Sequence, residues 1–197
     1  MAAIKPATAV RHRFTAEDFE RMGQLGILPE GAGFELIDGE VVVMGPIGAR
    51  HAWVVDHLVA LFVKHLPAQF VVRGQQPLRG LATHWEPQPD LVVQRGGGLE
   101  LPTPRDAVLV VEVSETTVGY DRQTKVPAYA LGEIPEVWVV DVTTDTIVVH
   151  RQPEGGRYTS IVRKTHGETV APEVVPELIV SIDDILGGPQ FWTEMTR

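Results

Sequence analysis

Cysteine is absent from the 197 residues, which removes disulfide frameworks, thiolate zinc centres and cysteine nucleophiles from consideration. Positive charge is scarce: 17 Lys and Arg stand against 26 Asp and Glu, for a formal charge of −9. That excludes a protein that coats nucleic acid through a broadly basic surface. It leaves room for a local basic groove, or for a metal that bridges carboxylates to phosphate. Long apolar runs are missing too. The most apolar stretch, Ala52 to Leu66, is broken by Asp56, His57, Lys64 and His65 and is too short to span a bilayer. The opening Met1-Ala2-Ala3-Ile4-Lys5-Pro6 lacks the apolar centre of a signal peptide. The expectation is a soluble, cytoplasmic protein without a membrane partner. Several catalytic signatures are also lacking: a Gly-rich loop closed by Lys-Ser/Thr, a Gly-x-Gly-x-x-Gly turn and a Gly-x-Ser-x-Gly elbow. His51, His57 and His65 share one segment, but no two stand four apart around a Glu, so a histidine zinc site has little support.

What is present suffices for a core. Hydrophobic residues make up 44% and charged residues 22%, and the length fits one domain. We divide the chain into a loose lead-in over 1–14, a single domain over 15–186 and a tail over 187–197. Thr15-Ala16-Glu17-Asp18 predicts a helix start that Gly23 and Gly26 close. Asp38-Gly39 between two apolar runs predicts a hairpin over Phe34–Val43. Val54, Val55, Leu58, Leu61, Phe62 and Val63 recur at helical spacing, predicting an amphipathic helix from His51 to Leu66. Strands are expected at Phe70–Arg73, Asp90–Val93 and Val108–Val113, the last a central one covered on both faces. A helix is expected over Asp121–Leu131, then strands at Val137–Val142, Thr146–His150 and Arg157–Arg163. Val174–Val180 is a short apolar piece in a turn-rich end. The order implies an α/β fold: a central mixed sheet flanked by helices, with an N-terminal helix and hairpin.

The chemistry left to the chain is acidic. Asp90 follows Pro89 at a strand start, and Glu112 ends the apolar run Val108-Leu109-Val110-Val111, on the face of Val108 and Val110. A carboxylate on a covered strand is costly unless paired or bound to metal. Two at neighbouring strand ends suit a hard cation such as Mg²⁺, and Lys125 on the next helix can return over the sheet end. The plainer reading is that Glu112 marks a strand emerging into solvent, and that Asp121 and Lys125 form an ordinary surface pair. On spacing alone that plainer reading is favoured.

A resemblance changes the balance. Phe34-Glu35-Leu36-Ile37-Asp38-Gly39-Glu40, His51, Pro89-Asp90-Leu91-Val92-Val93 and Val111-Glu112-Val113-Ser114-Glu115-Thr116-Thr117 come in order. Asp121, Lys125, Pro127, Tyr129 and Ile134-Pro135-Glu136-Val137-Trp138-Val139-Val140-Asp141 follow. Over roughly residues 15–185 the set resembles the Uma-two family, described as endonucleases of the restriction-endonuclease-like PD-(D/E)XK fold. The resemblance implies that Asp90 and Glu112 are the paired acids, and that they hold Mg²⁺ (or Mn²⁺) with the Val113 carbonyl. It implies that Lys125 replaces the lysine normally found two positions after the second acid, where this chain has Ser114. Glu35 matches an acidic position able to join the metal shell, or else is an outward-facing hairpin residue. His51 contacts a phosphate or caps its helix, with the cap slightly favoured. Tyr129 and Arg122 complete the candidate substrate contacts, although Tyr129 reads first as a core residue with a satisfied hydroxyl. Arg73, Arg79, Arg95 and Arg105 are further candidates to help near the site. The function so implied is metal-dependent phosphodiester hydrolysis, with DNA as the expected nucleic-acid partner and a homodimer as an expected assembly. The alternatives are a non-catalytic interaction module on a nuclease scaffold, or a nuclease active only in a larger complex.

Overall fold

The computed structural model describes residues 11–29, 33–115, 118–188 and 191–192. Most of the lead-in, Thr116 and Thr117 of the acidic motif, and most of the 187–197 tail lie outside the described residues.

The first helix, α1 (Ala16–Gln24), starts where the sequence indicates. The Thr15 hydroxyl accepts from the Asp18 N–H, and the Asp18 carboxylate accepts in return from the Thr15 N–H at 2.9 Å. The hairpin strands β1 (Phe34–Ile37) and β2 (Glu40–Val43) turn at Asp38 (φ 51°) and Gly39 (φ 81°), the two left-handed residues a tight two-residue turn requires. Next comes α2 (Ala49–His65), which buries Val54, Val55, Leu58 and Phe62.

The main sheet has six strands in chain order: β3 (Phe70–Gly74), β4 (Leu91–Arg95), β5 (Ala107–Ser114), β6 (Glu136–Asp141), β7 (Thr146–Glu154) and β8 (Arg157–Thr165). Only β5 and β6 run parallel, and the crossover between them is helical, as a parallel connection requires. It consists of α3 (Val118–Tyr120), a π-helical turn (Asp121–Lys125) and α4 (Val126–Leu131). Every residue of β5 and β6 is buried because both faces are covered. Leu91, Val93, Leu109 and Val111 pack under α2 on one face. Val92, Val110, Val137 and Val139 pack with Val126 and Tyr129 on the other. Trp138 of β6 is fully buried.

Three local features depart from the sequence reading. Asp90 precedes β4, which begins at Leu91. Helical backbone begins at Val118, three residues before Asp121, and contains the π turn, in which the Val126 N–H bonds the Asp121 carbonyl. That wider turn explains how Pro127 is accommodated: it falls at the start of α4, where its missing N–H costs nothing. Beyond the main sheet, β9 (Thr169–Val170) pairs with β10 (Val180–Ser181), and Ser181 caps α5 (Ile182–Leu186). These pieces are too short for hydrophobic periodicity to reveal them.

Candidate active site

The polar centre of the molecule lies where β5 ends and β4 begins. Leu91 pairs with Val111, so Asp90 stands opposite Glu112, and opposed residues in an antiparallel pair share a face. One step further, the partner of Val113 would be Pro89, which has no N–H to offer its carbonyl. The ladder is replaced there by the Asp90 side chain, which takes the Val113 N–H and leaves the Val113 carbonyl without a strand donor. Its Oδ2 accepts from the Val113 N–H at 2.8 Å, and its Oδ1 lies 2.9 Å from His51 Nε2.

Glu112 is buried on the α4 face. Its Oε1 accepts from the Tyr129 hydroxyl at 2.5 Å and lies 3.4 Å from Lys125 Nζ. The lysine donates to Glu35 Oε1 at 2.9 Å and stands 3.8 Å from Asp121 Oδ1. Glu35 Oε1 also accepts from the Gln88 N–H at 2.7 Å. The Ser114 hydroxyl donates to Asp121 Oδ2 at 2.6 Å, tying the strand to the turn that carries the lysine. One ammonium is therefore shared by carboxylates from three separate elements: the hairpin, β5 and the π turn.

Burial pushes the Glu112 carboxyl up; Lys125 opposes this, while Asp121, Asp90 and Glu35 add to it, and the result is about 8. Burial works against the Lys125 charge, but Glu112, Glu35 and Asp121 outweigh it and raise its pKa. Burial and the adjacent Glu112 hold the Tyr129 phenol well above its ordinary range. His51 is raised: burial disfavours its charge, and the bond to Asp90 more than restores it.

These positions correct several sequence expectations. Glu35 does not face outward; it is buried, because the segment at Glu86 bonds onto Leu36 and closes the hairpin over the sheet end. His51 does not cap α2. Gly48 occupies the cap position without a side-chain bond, and His51 reaches Asp90. Asp121 and Lys125 are buried rather than a surface pair, and Glu112 does not emerge into solvent. The Tyr129 hydroxyl is satisfied, as expected of a core tyrosine, but by Glu112 itself. Arg122 lies at the neighbouring strand end, with Nη2 3.8 Å from Asp141 Oδ2. Arg95 ends β4 and Arg105 precedes β5, at the opposite end of the sheet from Glu112. Arg79 pairs with Glu20, and Arg73 donates to the Gly98 carbonyl. Sequence reasoning missed Tyr120, an exposed aromatic just before the π turn, whose phenol is raised by partial burial and then by Glu35. Its only signal was adjacency to Asp121.

The oxygen donors here have the chemistry a hard divalent cation takes. Among the described residues, though, no three Asp, Glu or His groups stand together in a metal-holding cluster. The Lys125 ammonium fills the space between Glu35 and Glu112. The donor set fits such an ion in charge and atom type, since Glu112 faces three other carboxylates and one ammonium.

A central mixed sheet flanked by helices, with a helical crossover between its parallel strands, is an α/β architecture that matches a nuclease-like fold neighbour. A crystal structure described as a putative nuclease belonging to DUF820, from Anabaena variabilis, superposes with a TM-score of 0.67 at 16% identity. It covers 88% of this chain and 97% of that one. Residues 16–183 match the Uma2 family, described as "Putative restriction endonuclease". The chain belongs to the Uma2 family. No curated protein matches it. No helix among the described residues is long and apolar enough to cross a membrane.

Proposed function

We propose that the chain hydrolyses phosphodiester bonds in nucleic acid, with DNA as the substrate and Mg²⁺ or Mn²⁺ as the cofactor. One observation carries this reading: Glu35, Glu112 and Lys125 converge, buried, beside Asp90 at the ends of adjacent strands. The family description supports the reaction class. Asp90, Glu112 and the Val113 carbonyl would hold the cation. When bound, it polarises a phosphoryl oxygen and lowers the pKa of water. The residues of the chain do the rest. Lys125 orients the attacking water and stabilises charge developing on the phosphoryl group. Glu35 and Asp121 keep that lysine charged and aimed, Tyr129 fixes the Glu112 carboxylate, and His51 fixes Asp90.

The test pairs cleavage with stability. Lys125→Ala should lose on the order of 10²–10³ in cleavage of supercoiled or single-stranded DNA at low salt. It should keep the rise in melting temperature that millimolar Mn²⁺ produces in the wild type through ligand linkage. Asp90→Asn should lose both. Equal residual cleavage by wild type and Lys125→Ala would identify a contaminant and sink the reading. A wild type that binds a partner but cuts nothing would leave the interaction module in its place.

A further inference from the structure

On the α4 face, beyond the acid cluster, β7 and β8 carry polar groups that the proposed chemistry does not use. Val148 pairs with Val139 on one side and Arg163 on the other, and His150 pairs with Val137 and Ile161. His150, Arg163 and Asp141 therefore project from one face of the sheet, and Arg122 extends from the π turn towards Asp141 on that face. The His150 ring is buried, and neither of its nitrogens has a hydrogen-bond partner; Arg122 Nε and Nη2 are likewise buried without a hydrogen bond, Nη2 having only its 3.8 Å ion pair with Asp141. Arg163 is exposed and has no ion pair among the described residues.

Unpartnered buried donors are rare and call for an explanation. Nε and Nη2 form the edge of a guanidinium that grips an oxyanion with two parallel bonds. Asp141 does not use that edge. Its Oδ1 accepts from the Thr143 and Thr144 N–H groups, and its Oδ2 stays 3.8 Å from Arg122 Nη2, beyond hydrogen-bond reach. Burial and then the Arg122 charge push His150 down to about 4, so its ring is neutral and has one N–H to donate.

We propose that Arg122, Arg163 and His150 form an anion subsite that holds a backbone phosphate of the substrate strand, away from the bond that is cut. β7 and β8 stand two and three strands from β5, roughly 10–15 Å at ~4.8 Å per strand. The phosphate held there belongs to a nucleotide a short way along the same strand. The proposal rests on the nuclease reading and names where an otherwise acidic chain grips a polyanion.

The experiment uses the full chain, EDTA to prevent cutting, and a labelled single-stranded oligodeoxynucleotide followed by fluorescence anisotropy at low salt. Arg163→Ala and Arg122→Ala should each weaken binding roughly tenfold and lower the slope of log affinity against log salt by about 0.7. Arg105→Ala, at the far end of the sheet, should do neither. In parallel, inorganic pyrophosphate should shift the NMR signals of the His150 ring in the wild type and not in Arg163→Ala, a variant at an exposed position that leaves the core intact. If both arginine variants bind the strand like Arg105→Ala, the subsite is overturned even where the wild type cuts DNA. If pyrophosphate leaves the His150 signals unmoved, the subsite is also overturned. If the wild type cuts no nucleic acid but pyrophosphate moves His150 through Arg163, the subsite stands and the nuclease reading falls.

Discussion

Two buried glutamates on adjacent strands of one sheet have opposite surroundings. Glu136, at the start of β6, is fully provided for. It accepts from Trp138 Nε1 at 2.7 Å, from Arg151 Nε at 2.9 Å and Nη2 at 2.6 Å, and from the Glu173 N–H at 2.7 Å. Burial raises its pKa, while those donors pull it back. Glu112, near the end of β5, has a phenol and a shared lysine, and faces Glu35, Asp90 and Asp121. The first acid has every partner a buried carboxylate needs, and the second has a surplus of its own kind. A sheet built only for stability has no use for the second arrangement, and strongly perturbed buried acids of this kind gather at functional sites.

The comparison can be broken most forcefully at Glu136. Glu136→Ala leaves the buried Trp138 N–H without its acceptor and takes from the half-buried Arg151 its closest carboxylate. It should cost about 2–3 kcal/mol, measured by urea denaturation, with no change in the response to Mn²⁺. A loss under ~1 kcal/mol would show that the two glutamates are alike after all. Next comes pH. The folded Glu112 binds its proton up to about 8, whereas an unfolded glutamate releases it near 4.3. The folded state therefore holds more protons across that window, and metal-free stability should fall as pH rises from about 5 to 8, by a few kcal/mol at most. Glu112→Gln should flatten that fall in a pH series of melting curves, and Mn²⁺ should flatten it in the wild type. The smallest effect separates the acids at one fixed pH. At pH 7.5 without metal, Glu112→Gln should be neutral or stabilising by about 1 kcal/mol, the reverse of Glu136→Ala, because the neutral amide replaces an acid that already holds most of its proton there and removes what ionisation is left among the other carboxylates.

Much of the frame was legible because its signals are local. The Asp38-Gly39 turn, the Thr15 cap and the apolar run ending at Glu112 each depend on a few neighbouring residues. They fixed the hairpin, α1 and the central strand. Asp90, Glu112 and Lys125 could be named together only through the family resemblance, since their spacing alone favoured a strand end and an ordinary surface pair. What escaped depends on partners distant in sequence. Whether Glu35 faces in or out of a four-residue strand is decided by the Glu86 segment that covers it, and alternation cannot foresee that cover. His51 looks like a cap until β4 brings Asp90 beneath it. The Glu136–Arg151 pair is invisible until β6 and β7 come into register. The π turn left one trace, Pro127, which reads as an obstacle until the extra residue upstream is known.

A π turn is an α-helix with one residue too many. Downstream of it, Val126, Ala128, Tyr129 and Ala130 are locked into the core, so the surplus residue between Asp121 and Lys125 is taken up on the upstream side. Each residue of an α-helix accounts for about 100° of rotation, and the insertion swings Tyr120, Asp121 and Arg122 by that amount relative to Lys125 and Tyr129. The segment thus works as a swivel. Its downstream end keeps the lysine and the phenol trained on Glu112, and its upstream end is aimed separately, Asp121 towards Ser114 and Arg122 towards Asp141 at the end of β6. An ordinary helix would tie these two aims together; the extra residue lets the sheet end be served by one short segment in two directions.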